Sequence, residues 1–318
     1  MSTPRHIVIL GGTGFVGRHL VQRLHEDSGL RITVLSRNRE LLRDLAVLPR
    51  VQLLNCNVYA VDELAQRLQG ASAAINLIGV LQSDGFGGAG FYRAHVALTE
   101  TLIAACRKAG VRRLLQMSSL RAGEGESHYL KSRGQAEALV KNSGLDWTLF
   151  QPSVIFGRGD GLFCRFAPLL RLAPVLPLAR AGARFQPVYV KDVAEAMARA
   201  LDRADSIGKT YPLVGPSTYS LAGIVRYTAR CLGLRRLVLP LPDAIGALQG
   251  LAFDALPAGL KPFSSDNYRS LKLDSISSRN GLEELGIQAT PLEMVVPEYL
   301  GRGARQGALD DYRRGPDV

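Results

Sequence analysis

Residues 6–17 read His-Ile-Val-Ile-Leu-Gly-Gly-Thr-Gly-Phe-Val-Gly, an apolar run that leads directly into a glycine loop. The apolar positions that follow, Val21 and Leu24, predict an amphipathic helix. Gly12, Gly14 and Gly17 have G-x-G-x-x-G spacing. In such a loop one glycine permits a sharp turn, one lets the backbone approach a pyrophosphate and one lets the helix pack closely on the strand. The helix N-terminus adds unpaired N–H groups and a partial positive charge, so this stretch predicts a dinucleotide-binding loop. The residues expected to contact the dinucleotide here are Gly11, Thr13, Gly14, Phe15, Val16 and Gly17.

The end of the second predicted strand indicates which dinucleotide is bound. The strand at 31–35 is followed by Ser36-Arg37-Asn38-Arg39, and no acidic residue occurs before Glu40. An acidic residue about 20 positions after the glycines binds the ribose of NAD, whereas an arginine there accommodates the 2′-phosphate of NADP. A guanidinium can also hold a phosphate with two hydrogen bonds. Ser36, Arg37 and Arg39 are therefore expected to contact NADP(H), which is favoured over NAD(H). The alternative is that Arg37 is a solvated loop residue.

Strands and helices alternate regularly over the first half of the chain. Predicted strands lie at 6–10, 31–35, 51–54, 73–78, 112–117 and 147–150, with helices at 61–68, 91–109 and 128–141. This alternation predicts an α/β fold, a Rossmann doubly wound parallel sheet with helices on both faces. Ligands bind at the carboxyl ends of such strands. Leu77, Ile78, Gly79 and Met117 are accordingly expected to line the cofactor crevice.

Beyond residue 152 the pattern loosens and prolines become frequent. We expect an NAD(P)-binding Rossmann domain at 1–155 and a smaller substrate or partner lobe at 156–300, interleaved with the first. Strand-like segments at 188–190 and 211–214 and helices at 191–204 and 221–232 belong to this part of the chain. The polar stretch at 301–318 is expected to fray as a flexible tail.

The composition of the chain argues against several classes of protein. The chain has 318 residues, of which 47% are hydrophobic and 21% charged, as is typical of a soluble globular protein. No run approaches the roughly 18 apolar residues of a membrane span, and no signal peptide is expected. The four cysteines are far apart and form no C-x-x-C pair, and the histidines show no ligand spacing, so no metal site is expected. The net charge of +11 comes from scattered basic residues without a recognised nucleic-acid module, which argues against specific nucleic-acid binding. The expected location is the cytoplasm.

Hydroxyl side chains follow the fifth predicted strand. Ser118 and Ser119 end that strand, and Tyr129 begins the next helix. In hydride-transfer chemistry, a tyrosine hydroxyl exchanges a proton with the substrate oxygen, and a lysine four residues later assists it and holds the nicotinamide ribose. Here Arg133 stands at that position, while Lys131 lies on another helix face. We expect Tyr129 as acid/base, Ser118 or Ser119 to position the oxygen, and Tyr129 and Arg133 to contact the cofactor. The alternative is a tyrosine packed at a helix N-terminus beside an exposed arginine.

Several motifs together resemble one protein family. They are Gly-Gly-Thr-Gly-Phe-Val-Gly, Met-Ser-Ser-Leu, Tyr-Leu-Lys-Ser-Arg-Gly-Gln-Ala-Glu, Gln-Pro-Ser-Val-Ile-Phe-Gly-Arg-Gly-Asp and Phe-Gln-Pro-Val-Tyr-Val-Lys-Asp-Val-Ala. With them, residues 5–300 resemble the atypical, extended short-chain dehydrogenase/reductases, in the branch of the dehydrogenase-like accessory subunit of respiratory complex I. Bacterial members of this branch are often labelled sugar-nucleotide epimerases.

The resemblance implies further site residues. Asn57 and Val58 match the position that contacts adenine, without the usual acidic residue, and Pro152 and Ile155 match the segment beside the nicotinamide. The catalytic set it implies is Ser118, Tyr129 and the position of Arg133, where the family has lysine. His95 replaces an asparagine that is common on the central helix of catalytic members. The complex I subunit is thought to use its nucleotide structurally, so the resemblance to it does not imply turnover.

Two apolar segments, 162–178 and 238–262, lie in the expected second lobe. They predict either a small hydrophobic core or an apolar pocket or surface able to approach quinones or lipids. The second alternative includes loose attachment to the inner face of a membrane. The leading functional expectation is an NADPH-dependent oxidoreductase linked to respiratory-chain or quinone metabolism. The alternative is a nucleotide-stabilised accessory or assembly protein without turnover, and a nucleotide-sugar epimerase is a third. The sequence does not determine the oligomeric state.

Overall fold

A computed structural model of the chain describes residues 4–36, 45, 47–83, 87–254 and 263–301. Thirteen strands occur within these ranges: β1 Arg5–Leu10, β2 Leu30–Ser36, β3 Val51–Asn55, β4 Ala73–Asn76, β5 Arg113–Met117, β6 Asp146–Pro152, β7 Ile155–Phe156, β8 Val175–Leu178, β9 Arg184–Phe185, β10 Val188–Tyr189, β11 Lys209–Leu213, β12 Tyr219–Ser220 and β13 Leu237–Pro240.

The helices of the same ranges are α1 Phe15–His25, α2 Val61–Leu68, α3 with the consecutive segments Ala89–Tyr92, Arg93–Ala97 and Leu98–Ala109, α4 His128–Lys141, α5 Phe163–Leu172, α6 Val190–Asp202, α7 Leu221–Cys231, α8 Asp243–Asp254, α9 Ser265–Ser270, α10 Gly281–Glu284 and α11 Leu292–Leu300. A short 3-10 helix lies at Ala204–Ser206. The chain forms two compact units. The first comprises Met1–Pro152, Lys191–Leu213 and Arg279–Ile287, and the second comprises Ser153–Val190, Val214–Ser278 and Gln288–Val318.

The first unit is built on a seven-stranded sheet with the order β11-β6-β5-β4-β1-β2-β3. Every ladder in it is parallel. β1 and β4 are nearly continuous runs of buried residues, as is typical of parallel strands covered on both faces. The direction of winding reverses between β1 and β4, where a doubly wound sheet opens its ligand crevice. The predicted Rossmann doubly wound sheet is therefore confirmed.

The helices α2, α3 and α4 cover one face of this sheet. Leu64 of α2, Leu102 of α3 and Val140 of α4 are fully buried in one cluster with Val8 of β1 and Leu114 of β5. Burying each such side chain contributes about 1.5–3 kcal/mol relative to leaving it exposed. This packing fixes the positions of the strand ends that form the crevice.

Several predicted elements differ from the structure by one or two residues at their ends, and two of these differences have an identifiable consequence or cause. The fourth strand was expected at 73–78 but ends at Asn76, because the Asn76 side-chain oxygen accepts a hydrogen bond from the Ile78 N–H at 3.0 Å and turns the chain. The helix expected at 91–109 begins at Ala89 and contains a π-helical turn at Arg93–Ala97. Such turns insert one extra residue and are frequent at functional sites.

The second unit consists of three short two-stranded ladders and their helices. β7 pairs with β10 and β8 with β13 in parallel, and β9 pairs with β12 antiparallel. Phe156, Phe163, Ile224 and Val296 are fully buried in one of its hydrophobic clusters. None of the helices in the described ranges is both long and apolar enough to cross a membrane. The expected tail at 301–318 lies, beyond Gly301, outside the described residues.

Candidate functional site

The glycine loop closes tightly between β1 and α1. Gly11 has a φ of +79°, and the Gly14 N–H donates to its carbonyl oxygen at 3.0 Å. A Cβ at Gly17 would overlap that same carbonyl oxygen and lie 2.5 Å from the Cα of Gly12. Two backbone segments therefore meet where no side chain fits. This is the close approach that the G-x-G-x-x-G spacing predicts.

The N-terminus of α1 carries no group that competes for an anion. Its N-cap, Gly14, supplies no side-chain hydrogen bond, and no acidic residue lies in the first turn. The first N–H groups of the helix lack intrahelical partners, and the first α-helical hydrogen bond of this turn runs from the Arg18 N–H to the Gly14 carbonyl at 3.0 Å. Thr13, Phe15 and Val16 lie in this loop and turn as expected. The arrangement suits a pyrophosphate.

The residues expected around the adenosine half lie at the ends of β2 and β3. Ser36 is the last residue of β2, whereas Arg37 and Arg39 lie outside the described residues. Asn57 forms a turn after β3: its side-chain oxygen accepts from the Tyr59 N–H at 3.1 Å, and its own N–H donates to the Glu63 carboxylate at 2.9 Å. Val58 is buried. The role of Asn57 and Val58 at the adenine stays a prediction.

The loop after β4 packs directly on the glycine loop. The Leu77 N–H donates to the Leu10 carbonyl at 2.9 Å, and a Cβ at Gly11 would lie 3.0 Å from the Ile78 nitrogen. The ends of β1 and β4 are thus held together at the crevice. Gly79 follows, and a Cβ there would overlap the Nη2 atom of Arg133. Leu77, Ile78 and Gly79 therefore connect the glycine loop to α4.

Two hydroxyl groups at the end of β5 are buried without a hydrogen-bond partner in the described part of the chain. They belong to Ser118 and Ser119, which are 4% and 8% exposed. Their backbones are held in place, since the Ser118 N–H donates to the Phe150 carbonyl at 2.7 Å. A buried hydroxyl that makes no hydrogen bond costs about 1–3 kcal/mol. These two groups are the kind of donors and acceptors that a bound ligand would satisfy.

Arg133 brings several of the predicted site residues together. Its guanidinium is buried, donates to the Met117 carbonyl at 2.9 Å and lies 5.6 Å from the centre of the Tyr129 ring. Its Nε is buried without a partner, and no carboxylate pairs with it among the described residues. The alternative of an exposed arginine at this position is therefore wrong. Burying an unpaired cation is costly, so a polar or anionic ligand beside Arg133 would stabilise it.

Ser127 and two glycines place α4 at the crevice. The Ser127 hydroxyl caps the helix by accepting from the Leu130 N–H at 3.0 Å. A Cβ at Gly134 would overlap the Cα of Gly123, so α4 packs directly on the backbone of the preceding loop. Lys131, by contrast, is exposed, as its position on another helix face predicts.

His95 lies beside Tyr129 on the π-helical turn of α3, with the two rings edge to face and 5.7 Å between their centres. The Val80 N–H donates to its Nε2 at 3.3 Å, and its Nδ1 lies 2.8 Å from the Ser132 hydroxyl oxygen. Since the Ser132 hydroxyl donates to the Tyr129 carbonyl, the network assigns the proton of a neutral His95 to Nδ1. Burial, and secondarily the Arg133 charge, lower the pKa of His95 to about 2. His95 therefore positions Tyr129 but does not exchange protons at neutral pH.

A buried polar chain supports the same turn, and sequence reasoning missed it. The Thr99 hydroxyl donates to the His95 carbonyl at 2.6 Å and accepts from the Gln116 side chain at 3.3 Å. Gln116 in turn accepts from the Asn76 side chain at 2.9 Å. The sequence did offer a signal for this chain of hydrogen bonds: polar residues at three positions that the strand and helix pattern places in the interior. Phe91 was missed as well, although its ring lies 6.0 Å from that of Tyr129.

The two residues expected beside the nicotinamide lie on opposite sides of the boundary between the units. Pro152 ends β6, and its carbonyl accepts from the Leu120 N–H at 3.0 Å. Ile155 begins β7 in the second unit. Their role at the cofactor stays a prediction.

Comparison with known proteins places the chain in a family. The family described as NAD(P)H-binding matches residues 11–164. The chain is 30% identical to subunit 9 of the 1 alpha subcomplex of mitochondrial NADH dehydrogenase (ubiquinone) from Rattus norvegicus. The alignment extends over 308 residues and covers 92% of this chain and 79% of that protein. The chain belongs to the atypical short-chain dehydrogenase/reductases, in the branch of this complex I subunit.

A second relative is the ceramide reductase of Caulobacter vibrioides, which is 29% identical over 78% of this chain and 77% of that protein. The NADPH-dependent quinone oxidoreductase from Escherichia coli, solved in complex with NADPH, has the same fold: the TM-score is 0.76 at 21% identity, over 92% of this chain and 99% of that one. As an atypical short-chain dehydrogenase/reductase, the chain binds a nicotinamide dinucleotide. The side-chain-free cradle at Gly11 and Gly17 and the unpartnered polar groups of Ser118, Ser119 and Arg133 fit that ligand.

Proposed function

We propose that this chain is an NADPH-dependent oxidoreductase that reduces a carbonyl group of an apolar substrate, such as a quinone or another lipid-like small molecule. The observation that carries the proposal is the pair of buried, unpartnered hydroxyls of Ser118 and Ser119 at the crevice. The glycine loop alone would also suit a protein that binds its nucleotide only to stabilise its fold. Unsatisfied hydroxyls at the predicted reaction centre are, in addition, suited to orient a second ligand.

The residues of this chain divide the chemistry between them. NADPH, when bound, would supply the hydride that the carbonyl carbon receives. The Tyr129 hydroxyl donates the proton that the carbonyl oxygen then needs, so that an alcohol is released. Ser118 or Ser119 donates a hydrogen bond that orients the same oxygen. Arg133, fixed by the Met117 carbonyl, holds the ribose beside Tyr129 and contributes the positive charge that a lysine would supply.

The preference for NADPH rests on the residues after β2. Arg37 and Arg39 supply positive charge where NAD-binding chains have a carboxylate, and no acidic residue occurs before Glu40. We expect NADPH to bind more tightly than NADH in a fluorescence titration of the purified chain. Arg37→Glu should reverse that order, whereas Arg67→Glu, a matched change on the exposed end of α2, should leave it intact. Tighter binding of NADH by the unaltered chain would end the preference.

Turnover is tested with NADPH and a panel of quinones, ketones and aldehydes. Tyr129→Phe removes only the hydroxyl and should lower the turnover number about 10²–10⁴-fold while weakening NADPH binding far less. Tyr92→Phe is the matched control, because Tyr92 packs against His128 on the neighbouring helix and has no proposed role in the reaction. Equal activity of Tyr129→Phe and Tyr92→Phe towards every substrate that the unaltered chain reduces would contradict the assignment of Tyr129.

A second candidate function is an accessory protein that holds its nucleotide without turnover. The specific observation in its favour is the fully hydrogen-bonded, neutral His95, which leaves no proton relay from Tyr129 into α3. Its relative in mitochondrial NADH dehydrogenase is named as a subunit of a larger assembly. Tight NADPH binding without oxidation by any member of the panel would favour this second function.

A further inference from the structure

The exposed side of α8 is more apolar than its buried side. Gly246, Gly250 and Asp254 face the interior, where a Cβ at Gly246 would lie 2.9 Å from the Ala179 Cβ. The residues on the solvent-facing side are Ala244, Ile245, Leu248, Leu251 and Ala252. No polar residue interrupts that side, and Leu248 is 66% exposed. This inverts the usual arrangement of a surface helix, whose outer side is polar.

The ladder that precedes α8 has an apolar outer face as well. Leu237 pairs with Val175 and Leu239 with Pro177, and all four are exposed. Alternate residues of the same strands, Val238 and Leu178, are buried in a cluster of the second unit. This two-stranded ladder is apolar on both faces, and among the described residues its second face has no packing partner. Leu172, just before β8, is 86% exposed.

The two surfaces adjoin along the chain and in space. Only two residues separate β13 from α8, and the first of them, Leu241, donates its N–H to the Leu178 carbonyl at 3.0 Å. We call the exposed apolar side chains of both surfaces the apolar patch. They are Leu172, Val175, Leu237, Leu239, Ile245, Leu248 and Leu251.

The segments that form the ladder and two of its adjoining helices carry only basic charges. Residues 161–190 and 215–242, which supply the ladder and its adjoining helices, contain eight arginines and no Asp or Glu. Arg171 and Arg235 precede the two strands of the ladder, are exposed, and have no carboxylate partner in the described part of the chain. Two of the eight arginines are offset by carboxylates from outside these segments, because Arg180 pairs with Asp243 at 3.2 Å and Arg184 with Asp274 at 2.7 Å. Asp254, at the other end of α8, is buried.

We propose that the apolar patch docks onto the surface of an anionic lipid bilayer. Aliphatic side chains would enter the acyl boundary, and the arginines beside them would lie at the level of the phosphate groups, as in helices that bind membranes in the plane of the interface. The anionic surface complements Arg171 and Arg235, which are exposed and have no carboxylate partner in the described part of the chain. Docking is independent of turnover, so it holds for either function proposed above.

The test uses the full-length chain and sedimentation with two kinds of vesicle, pure phosphatidylcholine and phosphatidylcholine with about one third phosphatidylglycerol. At low salt the chain should sediment with the anionic vesicles only, and about 0.5 M salt should release it. Arg171→Gln/Arg235→Gln removes two charges and should lower the partition coefficient about 30-fold. Leu248→Ser/Leu251→Ser should lower it at least about tenfold.

Matched controls separate the patch from the overall charge of the chain. Arg31→Gln/Arg67→Gln removes two exposed charges from the first unit, and Met294→Ser replaces an exposed apolar side chain outside the patch. Both should bind vesicles like the unaltered chain, and thermal unfolding shows that every variant is folded. All the substituted side chains are exposed, so folding is expected to survive.

Three results would overturn the proposal. One is an absence of binding to anionic vesicles at low salt. Another is an equal loss of binding in the patch and control arginine variants, which would indicate net charge alone. The third is unchanged vesicle binding in Leu248→Ser/Leu251→Ser together with conversion of an oligomer to a monomer in size-exclusion chromatography, which would identify the patch as a contact between copies of the chain.

Discussion

Gly17 is the residue of the glycine loop with the least room for a side chain. Gly17→Ala would place a methyl group on the Gly11 carbonyl oxygen, which is backbone and cannot move aside as a side chain would. We expect a loss of about 1–3 kcal/mol in the free energy of unfolding, measured with urea, and weaker dinucleotide binding. Gly182→Ala is the control, because nothing lies within 4 Å of its Cβ position, and it should change stability by less than about 0.5 kcal/mol. Equal stability of the two variants would contradict the tight loop.

The unpartnered hydroxyl of Ser118 predicts opposite effects on stability and function. Ser118→Ala removes a buried group with no hydrogen bond among the described residues, so the ligand-free chain should become more stable by about 1 kcal/mol. Turnover or cofactor affinity should fall at the same time. Ser132→Ala is the matched change on α4. It removes a hydroxyl bonded to His95 and to the Tyr129 carbonyl, and should cost about 1–2 kcal/mol. A destabilised Ser118→Ala would show that this hydroxyl is satisfied without a ligand.

The buried His95 makes stability depend on pH. Its pKa falls from 6.5 to about 2 on folding, so below pH 6.5 the unfolded chain binds a proton that the folded chain does not. The stability that the fold gains by keeping His95 neutral is fully present above pH 6.5 and is lost progressively as the pH falls towards 2. Between pH 7 and pH 5 the free energy of unfolding falls by about 2 kcal/mol for this reason. Urea unfolding should therefore show a steeper loss for the unaltered chain than for His95→Gln over that interval. Identical slopes would mean that His95 titrates normally in the folded chain.

At the scale of elements, two hydroxyls donate to carbonyls of the π-helical turn of α3, and the one on Thr99 is the more deeply buried. Thr99→Val keeps the shape of the side chain but removes the hydrogen bonds to the His95 carbonyl and from Gln116. We expect a loss of about 2 kcal/mol in urea unfolding, because a carbonyl and an amide are left buried and unpaired. Thr101→Val, two residues on, loses a single partly buried hydrogen bond to Ala97 and should cost under about 1 kcal/mol. A reversed order of the two costs would argue against the buried chain.

The same helix shows how far elements follow from the sequence. Apolar spacing predicts a helix over 91–109, and the structure has one. The extra residue of the π-helical turn leaves no periodic signal, because it depends on the carbonyl of His95 meeting a hydroxyl four residues later. The end of β4 at Asn76 likewise depends on one side-chain hydrogen bond. Such bonds are decided by neighbours that a pattern of apolar positions does not record.

At the scale of the whole molecule, the dinucleotide should stabilise the fold. A ligand that binds only the folded chain adds about 2.7 kcal/mol at a free concentration one hundred times its Kd. NADPH should therefore raise the midpoint of thermal unfolding. Nicotinamide mononucleotide, which lacks the adenosine half, should raise it much less at the same concentration. An unchanged midpoint at saturating NADPH would contradict binding in a site formed by the folded chain.

The sequence by itself determined the doubly wound sheet and the glycine cradle. Both depend on local features: runs of apolar residues at strand and helix spacing, and glycines whose backbone freedom is intrinsic. Ser118 and Ser119 could be chosen for a similar reason, since the carboxyl ends of parallel strands meet at one edge. Tyr129 was chosen differently, from its position four residues before Arg133.

Only the tertiary structure decided the burial, the hydrogen-bond partners and the protonation of these residues. It buried the guanidinium of Arg133 against Gly79 and the Met117 carbonyl, made His95 a neutral support for Tyr129, and turned the apolar side of α8 outward. Burial, pKa and unmet hydrogen bonds are properties of what surrounds a group in space. Residues far apart in the chain, such as 79 and 133, supply those surroundings only once the fold has formed.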